Sequence, residues 1–296
     1  MITKTAKRLF EETLKQLKEE RHEHPILSGF PELDKNTGGW RNGDLIVVAA
    51  RPAMGKTAFV LTLARNAATQ FNKPVAFFSI DLAPFQIAIR LIAAETEIEM
   101  PKIVGGDLHD EDFEKMDAAA KQLANIPLFI DDAPTTCINE LCNEARVLYK
   151  QHDIKMIVID NLQNISVDKE ITANDNGDSY YQPKAETSYI MRELKKLVKE
   201  LHIPIILTSG IIREGEEKEV FRPQLWLLRK MGIEQYANVI AFLYRPEYYG
   251  LDKFEDGESA RNIAEIYIAK NNRGYISQPR LLFCGHYAKF KSITVK

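Results

Sequence analysis

From residue 26 onward, apolar and polar positions fall into two alternating rhythms. Continuous apolar runs rich in β-branched residues recur at residues 45–50, 74–80, 127–130, 155–160 and 204–208. Runs of this length without polar alternation read as strands buried on both faces, as in a parallel sheet. Between them lie stretches with a 3.6-residue apolar period, at residues 57–64, 84–95, 110–124, 138–151 and 184–201, and these predict helices. Pro84 suits a first helical turn. Residues 239–243 and 263–269 add further strands, and 280–284 with 288–295 predict a terminal hairpin. Strands alternating with helices predict an α/β core, a mostly parallel sheet with helices on both faces. The polar stretches 167–183, 214–220 and 250–261 read as loops.

Ahead of this core, residues 2–23 form a polar helix with a thin apolar stripe: Ile2, Ala6, Leu9, Phe10, Leu14 and Leu17. Nothing within the segment can bury that stripe, so it must pack on its own domain or on a neighbouring subunit. His22, His24 and Pro25 close the helix, and the histidines read as solvated end residues. No break in composition marks a second globular domain. The expected division is an N-terminal linker or docking helix over 1–24 and one α/β domain over 25–296.

The formal net charge of −3 removes any global basic footprint, so a nucleic-acid site would have to be local. Cys137, Cys142 and Cys284 are too few and too irregularly spaced for a disulfide framework or a zinc site. They read as small apolar residues in a reducing compartment. The first residues lack a signal-peptide core, and no apolar run approaches the ~20 residues of a membrane span. The expectation is a cytoplasmic protein with no membrane partner.

The candidate chemistry lies where the first strand meets the first helix. Arg51-Pro52-Ala53-Met54-Gly55-Lys56-Thr57 follows the strand and opens the helix, which is the context of a phosphate-binding loop. Ala50 stands where the pattern G-x-x-x-x-G-K-[ST] has its first glycine. Backbone N–H groups of such a loop cradle phosphates, Lys56 reaches the β- and γ-phosphates, and the Thr57 hydroxyl joins a Mg²⁺ shell. Asp160 ends an apolar strand about 100 residues later, where a nucleotide-binding fold keeps its Mg²⁺-side carboxylate. Asp81 ends another strand at the same edge, where a carboxylate can polarise an attacking water. The expected cofactors are ATP and Mg²⁺. The plainer readings are a chance lysine on a strand-to-helix turn and two turn-capping aspartates.

The series Ser28-Gly29-Phe30, Leu33-Asp34, Gly43-Asp44-Leu45, 49–57, Asp131-Asp132 and Val158-Ile159-Asp160-Asn161-Leu162-Gln163 resembles the RecA-like C-terminal domain of DnaB-type replicative helicases. So do Leu228-Arg229, Gly232-Ile233-Glu234-Gln235, residues 241–245 and Ile268-Ala269-Lys270. The likeness runs from about residue 26 to 290, and Ala50 is what that family itself shows in place of the first glycine. The resemblance implies a RecA-like P-loop core, a six-subunit ring with ATP between neighbours, and single-stranded DNA through the centre. It gives the N-terminal helix a role as a linker docking on the adjacent subunit, with no helix-rich N-terminal domain expected ahead of it. It also implies a helicase loader or a primase as further partners. Lys270 and Arg273 become catalytic candidates together with Asp81, and Arg229, Lys230 and Gly232 become the DNA-facing loop.

Departures from the family pattern bear on activity. Asp81 replaces the family's glutamate base and is one methylene shorter, where ~1 Å of misplacement slows catalysis. Ser209-Gly210 lacks the glutamine that links γ-phosphate to DNA in the family. Asn272 occupies the arginine-finger position, with Arg273 next to it, and such a finger is worth ~10³–10⁵ in rate. Arg229-Lys230-Met231-Gly232 is one residue shorter than the family's loop, and Lys230 replaces an acid. Three functions therefore compete: a helicase motor, a slow or non-hydrolysing nucleotide-binding relative that serves assembly, and a RecA-type recombination ATPase. The three altered catalytic positions favour the second, the intact phosphate-loop, Mg²⁺ and arm features fit the first two, and the family-specific motifs disfavour the last.

Overall fold

The computed structural model describes residues 5–20, 24–131, 136–168, 182–211 and 222–293. Ile2, His22, Asp132, Val295 and the loop positions 169–181 and 214–220 lie outside the described residues, as does the side chain of Leu17. One nine-stranded sheet runs in the order β3-β2-β4-β5-β1-β6-β7-β8-β9. Its strands are β1 (Leu45–Ala50), β2 (Val75–Ser79), β3 (Leu128–Asp131), β4 (Met156–Asp160), β5 (Ile205–Gly210), β6 (Val239–Tyr244), β7 (Ile263–Asn271), β8 (Arg280–Cys284) and β9 (Lys289–Ser292). From β3 to β6 all neighbours are parallel. The pairs β6–β7, β7–β8 and β8–β9 are antiparallel, so the terminal hairpin forms as expected.

Strand alternation sends side chains to two separate cores. Ile46 and Val48 of β1, Phe77 of β2, Val158 of β4 and Ile206 of β5 join one cluster. Their neighbours Leu45, Val47, Phe78, Ile157, Ile159 and Leu207 join the other. The first is covered by α3 (Lys56–Gln70), through Phe59, Leu63 and Ala67, and by α4 (Pro84–Thr96). The second is covered by α7 (Ile138–His152) and α8 (Gln182–Leu201). A sheet buried on both faces explains why its strands are uninterrupted apolar runs.

Short helices depart from the expected pattern. These are α2 (Pro31–Thr37), α5 (Met100–Gly105) and α9 (Leu225–Lys230). Each is under two full turns, too short to show a 3.6 period. The segment at Arg229 and Lys230, expected as a DNA-facing loop, is therefore corrected: both residues end a helix whose Leu227 and Leu228 are buried. A longer helix, α6 (Asp110–Leu123), lies where expected. The N-terminal helix α1 (Ala6–Glu20) leaves its stripe uncovered, with Leu9 51 %, Phe10 65 % and Leu14 60 % exposed. Its own domain thus does not bury those three residues. Among the described residues no helix is long and apolar enough to cross a membrane.

The last strand is tied back to the helical layer through Glu97, the C-cap of α4. Its carboxylate accepts hydrogen bonds from Lys291 at 2.6 Å and Lys289 at 2.9 Å. Those bonds, Lys291's foremost, pull its pKa from 4.5 to about 2. A carboxyl depressed on folding contributes stability above its unfolded pKa and loses it as pH falls through the folded one. In urea titrations, the stability difference between wild type and Glu97→Gln should therefore shrink as pH falls from 4.5 to about 2. A difference that stays constant over that window would show that the lysine contacts do not stabilise the carboxylate.

Candidate functional site

The carboxyl ends of β1, β2 and β4 open into a cavity of about 340 Å³, within the usual range for small-molecule sites. It is lined by Ala53, Gly55, Lys56, Thr57, Asp81 and Asp160, with Phe283 and Ala288 closing it from the terminal hairpin. The sequence-predicted Lys56, Thr57, Asp81 and Asp160 are thus brought together. Arg51 and Met54 belong to the loop but do not line the cavity. The Arg51 guanidinium lies 5.8 Å from the centroid of the Tyr249 ring, and Met54 is packed into the core. Pro52 is exposed on the loop's outer side.

The loop's shape depends on left-handed backbone. Ala53 has φ 62° and Gly55 φ 97°. The φ of Gly55 favours glycine, and a Cβ there would also approach the Phe283 ring to 3.2 Å, a tight contact that the ring would have to relieve. Lys56 Nζ folds back to donate to the carbonyls of Ala50 at 3.2 Å and Arg51 at 3.4 Å. Burial pushes its pKa down, and the negative charges of Asp160 and Asp81 push it back up. Asp160 is 2 % exposed, and one of its oxygens accepts a hydrogen bond from the Thr208 hydroxyl. Asp81 accepts a hydrogen bond from Asn164 Nδ2 at 3.0 Å. Arg245, from the end of β6, lies 4.2 Å from the centroid of the Phe283 ring and braces the hairpin side of the cavity.

These residues fit a nucleotide with a hard divalent cation. Thr57 and Asp160 offer oxygen donors of the kind Mg²⁺ takes, a desolvated lysine faces them, and the glycine cradle leaves room for phosphate oxygens.

Gln163 is the functional candidate that sequence reasoning missed. Its Nε2 donates to Ser209 Oγ at 3.1 Å, and its Oε1 accepts the Gly210 N–H at 2.7 Å. A Cβ on Gly210 would come 3.3 Å from that Oε1. The carboxamide therefore occupies the space beside residue 210 where a glutamine side chain would begin. The available signal was the pairing of a glycine at the end of β5 with a glutamine after β4.

Lys270, Arg273, Arg229, Lys230 and Gly232 do not join this cavity. β7 is antiparallel to β6, so its carboxyl end lies at the amino edge of β1. That edge is a strand length, about 17 Å, from the chain's own phosphate loop. Lys270 donates to the Glu234 carbonyl at 2.8 Å, and burial lowers its pKa. It lines a cavity of about 390 Å³ with Lys184, Arg229, Gly232 and Glu234. Arg273 lines a different cavity of about 660 Å³, with Arg41, Lys195 and Lys199. Nearby Asp44 has its pKa raised by burial and eased back by Arg273, Lys195 and Arg41. The register between β6 and β7 shifts where Ile240 and Ala241 face Lys270 and Ile268, so the irregularity precedes Lys270 and does not bring Arg273 onto the Lys270 face. The strand ends at Asn271, so Asn272 and Arg273 lie beyond it, where the strict two-sided alternation of a strand does not apply.

The Thr208 hydroxyl lies wholly within the protein beside the buried Asp160. Thr208→Val keeps the shape and removes only that donor, so unfolding in urea should become easier by about 1–3 kcal/mol. An unchanged midpoint would mean that Asp160 is satisfied without it.

The family model for the DnaB-like helicase C terminal domain matches residues 25–292. The replicative DNA helicase DnaB of Geobacillus stearothermophilus is 39 % identical over 269 residues, covering 90 % of this chain and 56 % of that protein. The replicative DNA helicase DnaC of Bacillus subtilis (strain 168) is 38 % identical over 269 residues, with the same coverage of 90 % and 56 %. The chain thus spans about half the length of these curated relatives. Among solved structures, one described as an ATPase domain matches with a TM-score of 0.80 at 29 % identity, over 99 % of this chain and 100 % of that one. A DnaB-like replicative helicase, described with its interactions with primase, matches with a TM-score of 0.81 at 28 % identity, over 99 % of this chain and 68 % of that one.

Proposed function

The chain belongs to the DnaB-like helicase C-terminal domain family, and from that premise we propose that it is the ATP-driven motor of a ring that moves along single-stranded DNA. The observation that carries this reading is the separation of two half-sites. Lys56, Thr57, Asp81 and Asp160 share one cavity, while Lys270 and Arg273 lie at the opposite edge of the same sheet. A cation at that far edge cannot serve its own chain's phosphate loop across about 17 Å of strand. It can serve the loop of a neighbour packed head to tail, and a closing head-to-tail interface generates a ring.

Within the near half, the loop's N–H groups and the amino end of α3 bind phosphates, and Lys56, whose pKa burial lowers and the two carboxylates push back up, adds a donor toward them. Thr57 and Asp160 would hold a divalent ion, which would supply charge neutralisation at the phosphates. Asp81, oriented by Asn164, holds the attacking water and accepts its proton. Ser209, Gly210 and Gln163 connect the end of β5 to the end of β4 through hydrogen bonds. From the neighbour, Lys270 or Arg273 stabilises the charge that develops on the transferring group.

Calorimetry on the full chain should show Mg²⁺-dependent ATP binding that Lys56→Ala abolishes. Single-stranded DNA should raise the hydrolysis rate several-fold. Equal affinity in the mutant would refute the phosphate-loop assignment. Binding without DNA-stimulated turnover would leave a nucleotide-binding assembly module instead of a motor.

The uncovered stripe of α1 fits the same head-to-tail arrangement. We take residues 1–24 to be the arm that docks on the adjacent subunit, since Leu9, Phe10 and Leu14 are exposed on their own chain. A chain lacking 1–24 should sediment as a smaller species, with the far-ultraviolet circular dichroism of the core unchanged. Retention of the full-size assembly would remove this role.

A further inference from the structure

We propose that Trp226 is a base-stacking platform, so that this chain grips single-stranded DNA through a base as well as through phosphates. The proposal rests on the DNA-translocating reading above and adds a residue outside the motifs that support it. Helix α9 spans Leu225–Lys230 and is anchored by Leu227 and Leu228, which are 8 % and 0 % exposed. Trp226, Arg229 and Lys230 stand at i, i+3 and i+4, which places them on one helical face. All three are exposed, Trp226 by 44 %. An indole is among the largest apolar groups a chain can bury, and here nearly half of it faces out.

Its surroundings are cationic and firmly held. The Lys230 ammonium lies 4.9 Å from the indole centroid. Arg229 is clamped by Glu234 through bonds of 2.6 and 3.1 Å. The following turn is pinned on α8: Gly232 has φ +76°, and a Cβ there would sit 2.5 Å from the Ser188 hydroxyl. Beside this face lies the cavity that Lys184, Arg229 and Lys270 share with Glu234. A π surface bordered by cations on a rigid support is the arrangement that binds single strands: bases stack on the ring while phosphates meet the charges. A protein partner would need complementary acid around an apolar plug. A nucleic acid brings both groups at every residue, and the adjoining cavity, lined by Lys184, Arg229 and Lys270 against the single acid Glu234, favours it.

The chain has two tryptophans, and the other, Trp40, is 1 % exposed, so accessible fluorescence belongs to Trp226. The test titrates the full chain, with Mg²⁺ and a non-hydrolysable ATP analogue, against a fluorescein-labelled 20-mer of thymidylate. A matching abasic strand provides the phosphates alone. Anisotropy reads binding, and tryptophan emission reads stacking. The thymidylate strand should quench emission, and the abasic strand should bind more weakly without quenching it. Trp226→Ala should weaken thymidylate binding about tenfold while keeping its salt dependence, and Trp226→Phe should recover most of the loss. Lys230→Ala should instead flatten the slope of log Kd against log salt. Tight thymidylate binding without quenching, with Trp226→Ala equal to wild type, overturns the platform and leaves the DNA reading standing. Emission already shielded from acrylamide in the DNA-free assembly assigns the indole to a subunit contact and also overturns it. Absence of DNA binding by any form overturns both.

Discussion

The ammonium of Lys56 sits at the end of the central strand, among the carbonyls of Ala50 and Arg51, where burial works against its charge. The carboxylates of Asp160 and Asp81 offset that cost, and they arrive from two other strands. The parallel order β2-β4-β5-β1 is what brings those strand ends to one edge. Asp160 is itself buried, and Thr208 on β5 supplies its donor. The loop can carry its lysine inward only because Gly55 accepts a φ of 97° against the Phe283 ring. A charge balance at one strand end therefore ties together the sheet order, the buried polar pair and the terminal hairpin. Phosphates add negative charge to the same place, so this arrangement is poised for an anion with its cation.

The antiparallel extension is the second constraint. Turning β7 back along β6 delivers Lys270 and Arg273 to the edge opposite the phosphate loop. A single domain then carries an acceptor half-site on one edge and cationic groups on the other. On the reading proposed above, such a molecule is incomplete alone, since each half would take its complement from another copy. The exposed residues of α1 point the same way from apolar surface instead of charge: Phe10 on a folded monomer exposes area that an interface would bury. Two independent features, electrostatic and hydrophobic, ask for the same kind of neighbour.

The long elements were legible in the sequence because burial on both faces leaves an unmistakable apolar run, as in β1, β4 and β5. The strand, tight turn and helix that carry the candidate phosphate loop were legible because strand, glycine, lysine and helix must follow in that order. Helices α2, α5 and α9 were not legible. With six or seven residues each, they hold too few positions for a period, and tertiary packing of residues such as Leu33 and Leu228 fixes them instead. Arg51 was placed at the nucleotide by its neighbours in sequence, whereas its side chain turns toward Tyr249. Adjacency along a tight loop says little about side-chain direction, because φ values of 62° and 97° in the residues after it break any alternation.

Position 210 shows why a substitution is better read by the space it leaves than by the letter it changes. On sequence alone, Gly210 looks like the loss of a polar side chain from the end of β5. In the fold, the Gln163 carboxamide binds the Gly210 N–H and the Ser209 hydroxyl from the neighbouring β4 connection. A side chain restored at 210 would meet that carboxamide, at 3.3 Å already from its first carbon. A Cβ at residue 210 would crowd this carboxamide, so the two positions pack as a pair. Asp160 ends β4 and is bonded to Thr208, two residues before Gly210, so the hydrogen bonds that bridge β4 and β5 lie close to the buried carboxylate. Side-chain hydrogen bonds thus join the ends of β4 and β5 at two places, Asp160 with Thr208 and Gln163 with Ser209.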